Sequence, residues 1–482
     1  MQRYDVSFQL TSPTTQFDTQ EKVGMVILGL GLLTWVVAAF GIGNQSAELT
    51  FYGGLAGIVV GSLIYFRRYL KKPQGISHDG TWFTRSMLGM KSMLGWTLGI
   101  LFTGFYCVLY WQDAWLANLI PIFNPLSYAL KNTAADKWFM YGALYTLAVL
   151  VMGVRMLYKY RHNKYQILRT ISVMFFQLGF AFLIPAFLVM LNRPEYYFSY
   201  FWPLKYDYLW PGTVNWLSGD GSVGIFMIFW GAVMFFIATP ILTFFFGKRW
   251  YCSWVCGCGG LAETAGDPFR HLSNKSLKAW RIERWLIHSV VIFVVATTAM
   301  LWINSVTQGA ILGSASGKFA QWYGFLIGLV FAGVVGTGFY PILGNRVWCR
   351  FGCPMAAILG MFQKWFSRFR ITTNGGQCIS CGNCSTYCEM GIDVRWYAQR
   401  GQNIIRSSCV GCGVCAAVCP RGVLKLENGP QDNRYNGPVL IHQDNVSVTL
   451  DTNWTPTGGT GRMPATQEDI PVLTDSDWNS MK

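Results

Sequence analysis

Charge is what this sequence has least of. Only 13% of its 482 residues are Asp, Glu, Lys or Arg, about half the share of an ordinary soluble domain, while 52% are hydrophobic. That composition excludes a typical soluble enzyme and points to a chain embedded in lipid. Acidic charge is scarcer still, 23 residues against 38 basic ones, which leaves a net charge of +15. In a membrane chain such an excess belongs to cytoplasmic loops, so no nucleic-acid partner is expected. Histidine is rare, five in all, and no two sit on facing apolar stretches, which argues against a bis-histidine haem. No Asp, Glu or Lys falls in the central turns of an apolar stretch. Pumps and proton-coupled transporters need such groups inside the bilayer; their absence leaves electron transfer as the natural task. An early apolar core is missing too: Met1 to Lys22 is polar, and no cleavable signal peptide is expected.

Hydrophobic runs, by contrast, are plentiful. Eight stretches reach or approach the ~20 residues that span a bilayer: 24–42, 50–66, 92–111, 138–157, 168–191, 222–246, 285–304 and 321–343. The second is the shortest, but Arg67 and Arg68 follow it as they would a membrane exit. Basic residues crowd alternate loops: Arg67, Arg68, Lys71, Lys72, Arg85 and Lys91; then Lys159, Arg161 and Lys164; then Lys248, Arg249, Arg270, Lys275, Lys278, Arg281 and Arg284. Loop 43–49 has none and 305–320 only Lys318. The positive-inside bias therefore predicts an even number of spans, with both termini cytoplasmic. The loop 192–221 is dense in aromatics, from Tyr196 to Trp216. An interfacial belt or short re-entrant helix explains that density; a partner-docking face is the alternative.

The 14 cysteines carry the chemistry. One run reads Cys378-x2-Cys381-x2-Cys384-x3-Cys388, and the next Cys409-x2-Cys412-x2-Cys415-x3-Cys419-Pro420. This is the spacing of paired [4Fe–4S] ligation, in which the fourth cysteine of each run serves the other cluster. Cys378, Cys381, Cys384 and Cys419 are thus expected to hold one cluster, and Cys409, Cys412, Cys415 and Cys388 the second. Zinc sites prefer Cys-x2-Cys pairs separated by longer loops. The one departure is Glu389, where the first run would carry proline.

A second pattern follows spans six and eight. Gly247-Lys248-Arg249-Trp250-Tyr251-Cys252-Ser253-Trp254-Val255-Cys256 and Gly344-Asn345-Arg346-Val347-Trp348-Cys349-Arg350-Phe351-Gly352-Cys353-Pro354 align as Gly-x-Arg-x-aromatic-Cys-x3-Cys. Residues four apart share a helix face, so each pair offers two sulfurs to one centre. A third iron–sulfur cluster on Cys252, Cys256, Cys349 and Cys353 is the leading reading. A thiolate-bound soft metal such as Cu(I), two redox-active dithiols and buried free thiols are the others. Cys258 stands close enough to replace Cys256, whereas Cys107 reads as packing. His288, at the start of span seven, is the catalytic candidate, a proton acceptor for a quinol, against the plainer reading of a hydrogen-bonded interfacial residue. His78 and His162 are loop residues without companion ligands. Arg249, Arg346 and Arg350 would offset the charge of an electron-rich centre, or serve simply as positive-inside anchors.

These motifs resemble the bacterial membrane polyferredoxins, over about 222–425. That group includes the quinol-dehydrogenase membrane subunit of periplasmic nitrate reduction, the membrane protein that supports nitrous oxide reductase, and the ferredoxin-like accessory protein of copper-containing oxidase. The first membrane copy has Gly257 where the family has proline. There is no flavin-attachment domain ahead of the spans, nor room after Cys419 for the β-domain of the oxidase type, so the quinol-oxidising kind is the nearest match. The resemblance implies a possible quinol dehydrogenase-type oxidoreductase component, using quinol or quinone together with a redox partner protein or a larger respiratory complex. The alternatives are an accessory factor that reduces or delivers copper, and a non-catalytic relay subunit.

The sequence thus predicts a mainly α, polytopic membrane protein of about eight spans in the bacterial cytoplasmic membrane, with a small cytoplasmic α+β ferredoxin domain. Its expected parts are a cytoplasmic segment 1–23, spans one to five with the aromatic loop over 24–221, spans six to eight with both Cys-x3-Cys motifs over 222–370, a two-cluster domain 371–428, and a polar tail 429–482 that drapes over the ferredoxin domain or a partner. Val439 to Ile441 and Val446 to Leu450 are candidate strands within the tail. Asn445 and Asn453 begin glycosylation-type triplets that a cytoplasmic tail would leave unused.

Overall fold

A computed structural model describes residues 18–42, 46–70, 89–90, 92–373 and 377–429, together with the backbone of 439–443 and 446–450. Loop residues 71–88 with His78, the N-terminal residues 1–17 and the tail beyond 450 lie outside the described residues.

Eight helices are long and apolar enough to cross a membrane: Thr19–Ala39, Ala47–Tyr69, Met93–Trp111, Lys137–Lys159, Lys164–Met190, Ser222–Phe246, Leu277–Val306 and Ala315–Val335, here spans 1 to 8. Polar side chains set several starts by taking backbone N–H groups that a helix leaves unpaired. Ser92 caps span 3, Asp136 span 4, Asn163 span 5 and Ser276 span 7. Spans 1 and 2 pack through glycine: a Cβ on Gly57 would lie 2.8 Å from the Cα of Gly31, so only small residues permit this approach.

Two span boundaries differ most from expectation. Span 7 begins at Leu277 rather than 285, because its charged first turns continue the helix beyond the hydrocarbon. Span 8 ends at Val335 rather than 343, and the chain turns before a short helix Tyr340–Leu343. Pro341 cannot donate to a carbonyl four residues back, so it cannot continue span 8 and sits instead in the first turn of the new helix.

Spans 5, 6 and 8 each contain a π-helical stretch, Phe176–Leu183, Met234–Ala238 and Gly324–Val335. Such widened turns concentrate at functional sites. Loop 192–221 is re-entrant rather than a flat belt. The Tyr196 hydroxyl donates to Met227 O near the start of span 6, at 2.9 Å. Tyr251, beyond the far end of that span, donates to Ser199 O at 2.8 Å. The loop then returns, and Trp302 of span 7 donates to Leu209 O at 2.7 Å. Its tip therefore reaches the first Cys-x3-Cys motif.

The ferredoxin module is closed by an antiparallel pair, β1 (Phe369–Thr373) and β2 (Leu424–Asn428), in register from Phe369↔Asn428 to Thr373↔Leu424. A second hairpin joins β3 (Val439–Gln443) to β4 (Val446–Leu450), where the tail was expected to contain strands. One buried core runs from the ends of spans 6 and 8 into the module and includes every ligand-candidate cysteine except Cys381, which is exposed.

Candidate metal centres

The sequence repeat is also a structural repeat. Gly247 and Gly344 end their helices at φ +67° and +97°, and added Cβ atoms there would meet Phe369 Cβ at 2.9 Å and Ser273 N at 2.8 Å. Glycine is needed at both. The cysteines of each pair do not share a helix face, contrary to expectation. Cys252 closes a one-turn helix, and Cys256 lies in extended backbone as the N-cap of Gly257–Glu263. Cys349 lies in the turn Trp348–Gly352, and Cys353 is the extended N-cap of the helix Pro354–Phe366, its Sγ accepting from Ala356 N at 3.4 Å. Proline at the first helical position enforces this break in the second copy. Gly257 adopts the same role in the first, because the re-entrant tip leaves no room for a side chain: the Tyr200 hydroxyl and Gln177 Oε1 crowd its Cβ position.

All four thiols of the repeat are buried in the shared core. Burial pushes Cys252 up to about 12 and raises Cys349 and Cys353 too; Cys256 is raised by its hydrogen bond with Cys258 and by burial. Among the described residues no three His, Cys, Asp or Glu side chains gather tightly enough for a single ion. A tetrahedral one-metal site would bring its sulfurs to about 3.8 Å of one another, from Zn–S bonds of ~2.3 Å.

In the module, one cavity is lined by Cys378, Cys381, Cys384 and Cys419 among others. Another is lined by Cys388, Cys409, Cys412 and Cys415 among others. The second Cys-x2-Cys turn of each run passes through a left-handed glycine, Gly382 at φ +79° and Gly413 at +71°. The second cavity is clamped onto the membrane part by a row of carbonyl bonds. Gln363 donates to Cys409 O, Ser253 to Val410 O, Tyr165 to Gly411 O and Gln166 to Cys412 O, all at 2.8 Å.

A buried ionic chain lies beside these thiols. Asp267 binds Lys159 at 2.7 Å, Arg155 at 2.8 Å and Arg270 at 3.2 Å. Arg270 reaches Glu389 at 3.3 Å, Glu389 reaches Arg346 at 3.0 Å, and Glu263 bridges Arg346 at 2.6 Å and Arg169 at 2.5 Å. Five cations face three carboxylates in this chain. Unbalanced buried charge is costly, and thiolate-held iron–sulfur clusters are anionic, so the donor sets and their surroundings fit such groups. Burial pushes the Glu389 carboxyl upward, but Arg346, Arg270 and Arg169 more than reverse it and hold it at about 2.

Of the three arginines expected at the centre, only Arg346 touches a thiol, with Nη1 3.6 Å from Cys349 Sγ. Arg249 lies over the Phe369 ring at 4.5 Å, and Arg350 pairs with Glu283 at 2.6 Å. A third cavity is lined by Tyr200, Lys205, Tyr206, Cys258, Tyr323 and Trp348 among others. Cys258 thus faces a cavity. His288 is half-buried on span 7 and is not part of that lining. Sequence reasoning missed the roles of Glu263, Gln363 and Glu389. Only Glu389 left a signal, as the departure from proline.

Comparison with known proteins matches the same segments. A family profile described as a 4Fe-4S binding domain covers 228–276 and again 323–372, one match per copy of the repeat. A second, a 4Fe-4S dicluster domain, covers 370–420. The chain carries the iron–sulfur domains of a membrane-type polyferredoxin. It is 25% identical over 170 residues to YccM of Escherichia coli K12, named as a candidate electron transport protein, a match covering 34% of this chain and 47% of the relative. It is also 25% identical over 150 residues to MauN of Paracoccus denitrificans, named as a methylamine utilization ferredoxin-type protein, over 30% of this chain and 48% of the relative. The chain thus spans about half the length of the curated relatives it matches. No solved structure matches it. The protein is a multi-pass membrane protein with 4Fe-4S binding domains.

Proposed function

We propose that this chain oxidises a membrane quinol at the cavity beneath the re-entrant loop and passes the electrons to a redox partner on the ferredoxin side, which is the cytoplasmic side. Cys378, Cys381, Cys384 and Cys419 would hold one [4Fe–4S] cluster, Cys388, Cys409, Cys412 and Cys415 a second, and Cys252, Cys256, Cys349 and Cys353 a third. Such clusters, when bound, supply one-electron redox sites whose potentials the protein tunes through charge and burial.

The observation that carries the quinol reading is the placement of the third cavity. It opens among spans that cross the bilayer, and its wall includes Trp348 and Pro354, neighbours in sequence of Cys349 and Cys353. Tyr323 and Trp348 offer ring faces to a flat headgroup. The Tyr200 and Tyr206 hydroxyls can hydrogen-bond its oxygens. Quinol oxidation releases two electrons and two protons. Lys205 in the lining is bonded to Asp207 Oδ2 at 2.9 Å, which joins a carboxylate to the cavity as a proton acceptor. This moves the acid–base role away from His288.

The test pairs iron content with quinol reduction in anaerobically purified protein. Wild type should hold about 12 iron atoms, three four-iron cubes. Gly328→Phe fills the cavity, since even a Cβ there would lie 2.9 Å from the Tyr206 hydroxyl. It should keep that iron yet lose reduction by quinol, while dithionite still reduces it. Unimpaired quinol reduction in Gly328→Phe would overturn the assigned site. About 8 iron atoms in wild type would leave the four membrane-edge thiols without a cluster.

A further inference from the structure

The buried ionic chain has a polarity that the electron-transfer reading does not use. Arg346 sits on the membrane repeat, bonded to Cys252 O at 3.3 Å and 3.6 Å from Cys349 Sγ. Glu389 sits on the module, directly after Cys388 and in the lining of the second module cavity. The two meet at 3.0 Å, with both side chains fully buried. Asn345 fixes the geometry: its amide donates to Glu389 Oε2 at 3.2 Å and to Ala262 O at 2.6 Å. Ser273 holds the Glu389 carbonyl at 2.6 Å. One ion pair is therefore the joint between two neighbouring cysteine sets, with its cation against one and its anion against the other.

We propose that Arg346 and Glu389 are positioning residues that separate the reduction potentials of the two adjoining centres, Arg346 raising that of the Cys252/Cys256/Cys349/Cys353 centre and Glu389 lowering that of the Cys388/Cys409/Cys412/Cys415 cluster. This rests on the ligand assignment of the proposed function. The physical reason is Coulombic. Reduction adds negative charge, which a nearby buried cation favours and a nearby buried anion opposes, and the closer charge dominates at each site. The proline expected after Cys388 would carry no charge, so Glu389 is the residue that creates the offset.

The test is an anaerobic redox titration monitored by EPR on the full chain, with iron counted in every sample. Glu389→Gln should raise the midpoint of one cluster, and Arg346→Gln should lower that of another, both at wild-type iron content. Glu389→Asp and Arg346→Lys keep the charges and should stay near wild type. In either single variant the remaining charge keeps one partner, Arg346 with Glu263 or Glu389 with Arg270, but the buried chain loses its charge balance and can fail to assemble. The double variant Glu389→Gln/Arg346→Gln removes both charges at once, and it should narrow the gap between the two midpoints. Unchanged midpoints, or shifts of one sign in both single variants, would show the pair to be purely structural and overturn the proposal. Failure of the underlying assignment reads differently. With about 8 iron atoms in wild type, the membrane-edge signal is missing, and the rise on Glu389→Gln still decides the role of Glu389 at the remaining cluster.

Discussion

At the residue scale, the buried carboxylates do the organising. Asp267 alone holds Lys159, Arg155 and Arg270, and so ties span 4 to the segment beneath the module. Burial raises its carboxyl, but Lys159, Arg155 and Arg270 outweigh that and hold it well below the usual carboxylate range. A group depressed in the folded state lends stability that is present above its unfolded value, about 3.9, and is lost as pH falls toward the folded value. Asp267→Asn leaves three buried cations without that partner, a change that costs about 3–5 kcal/mol in comparable buried pairs. Thermal unfolding in detergent should show the variant clearly less stable at pH 7, with a smaller further loss than wild type on moving from pH 4 toward pH 2. Equal stability at pH 7 would remove Asp267 from this role.

At the element scale, the re-entrant loop decides the shape of the site. Its tip packs Phe201 against Tyr251 at a ring distance of 5.2 Å, and Trp202 bonds Thr298 of span 7 at 3.2 Å. Tyr200 leaves no space for a side chain at position 257. Gly257→Ala should therefore push the tip away, at about 1–3 kcal/mol as for overpacked cores. The displacement should open the cavity and speed labelling of Cys258 by a maleimide. Tyr200→Phe in the same chain removes the crowding hydroxyl and should restore part of the loss. Labelling unchanged in Gly257→Ala would mean that the tip does not rest on the motif. The same contact explains why the first copy of the repeat departs from proline while keeping the backbone of the second.

At the scale of the whole molecule, the module and the repeat form one body. The row of carbonyl bonds from Cys409 to Cys412 means that the module does not hang from a linker. Its side of the membrane is then fixed by the basic loops at the ends of spans 2, 4 and 6. We expect a green fluorescent reporter fused after Lys482 to be bright and alkaline phosphatase fused there to be silent; the reverse pattern would place the module on the other side. The exposed Cys381 puts the first module cavity at the outer edge of this body, where a partner can approach.

The sequence by itself determined the membrane class, the eight spans and the two cysteine patterns, because hydrophobic length and ligand spacing are local properties that no packing can alter. The residues that line each module cavity are those the spacing rule groups together, since short turns present neighbouring thiols to one side. What only the tertiary structure decided was long-range. Glu389 reads as a missing proline until Arg270 and Arg346 arrive from other segments. Loop 192–221 reads equally as an interfacial belt or a short re-entrant helix until Tyr251 takes its tip. Arg249 and Arg346 occupy matching positions in the repeat, yet only Arg346 meets a thiol. Which charge lies beside which sulfur depends on contacts between residues far apart in the chain, and nothing in local spacing encodes them.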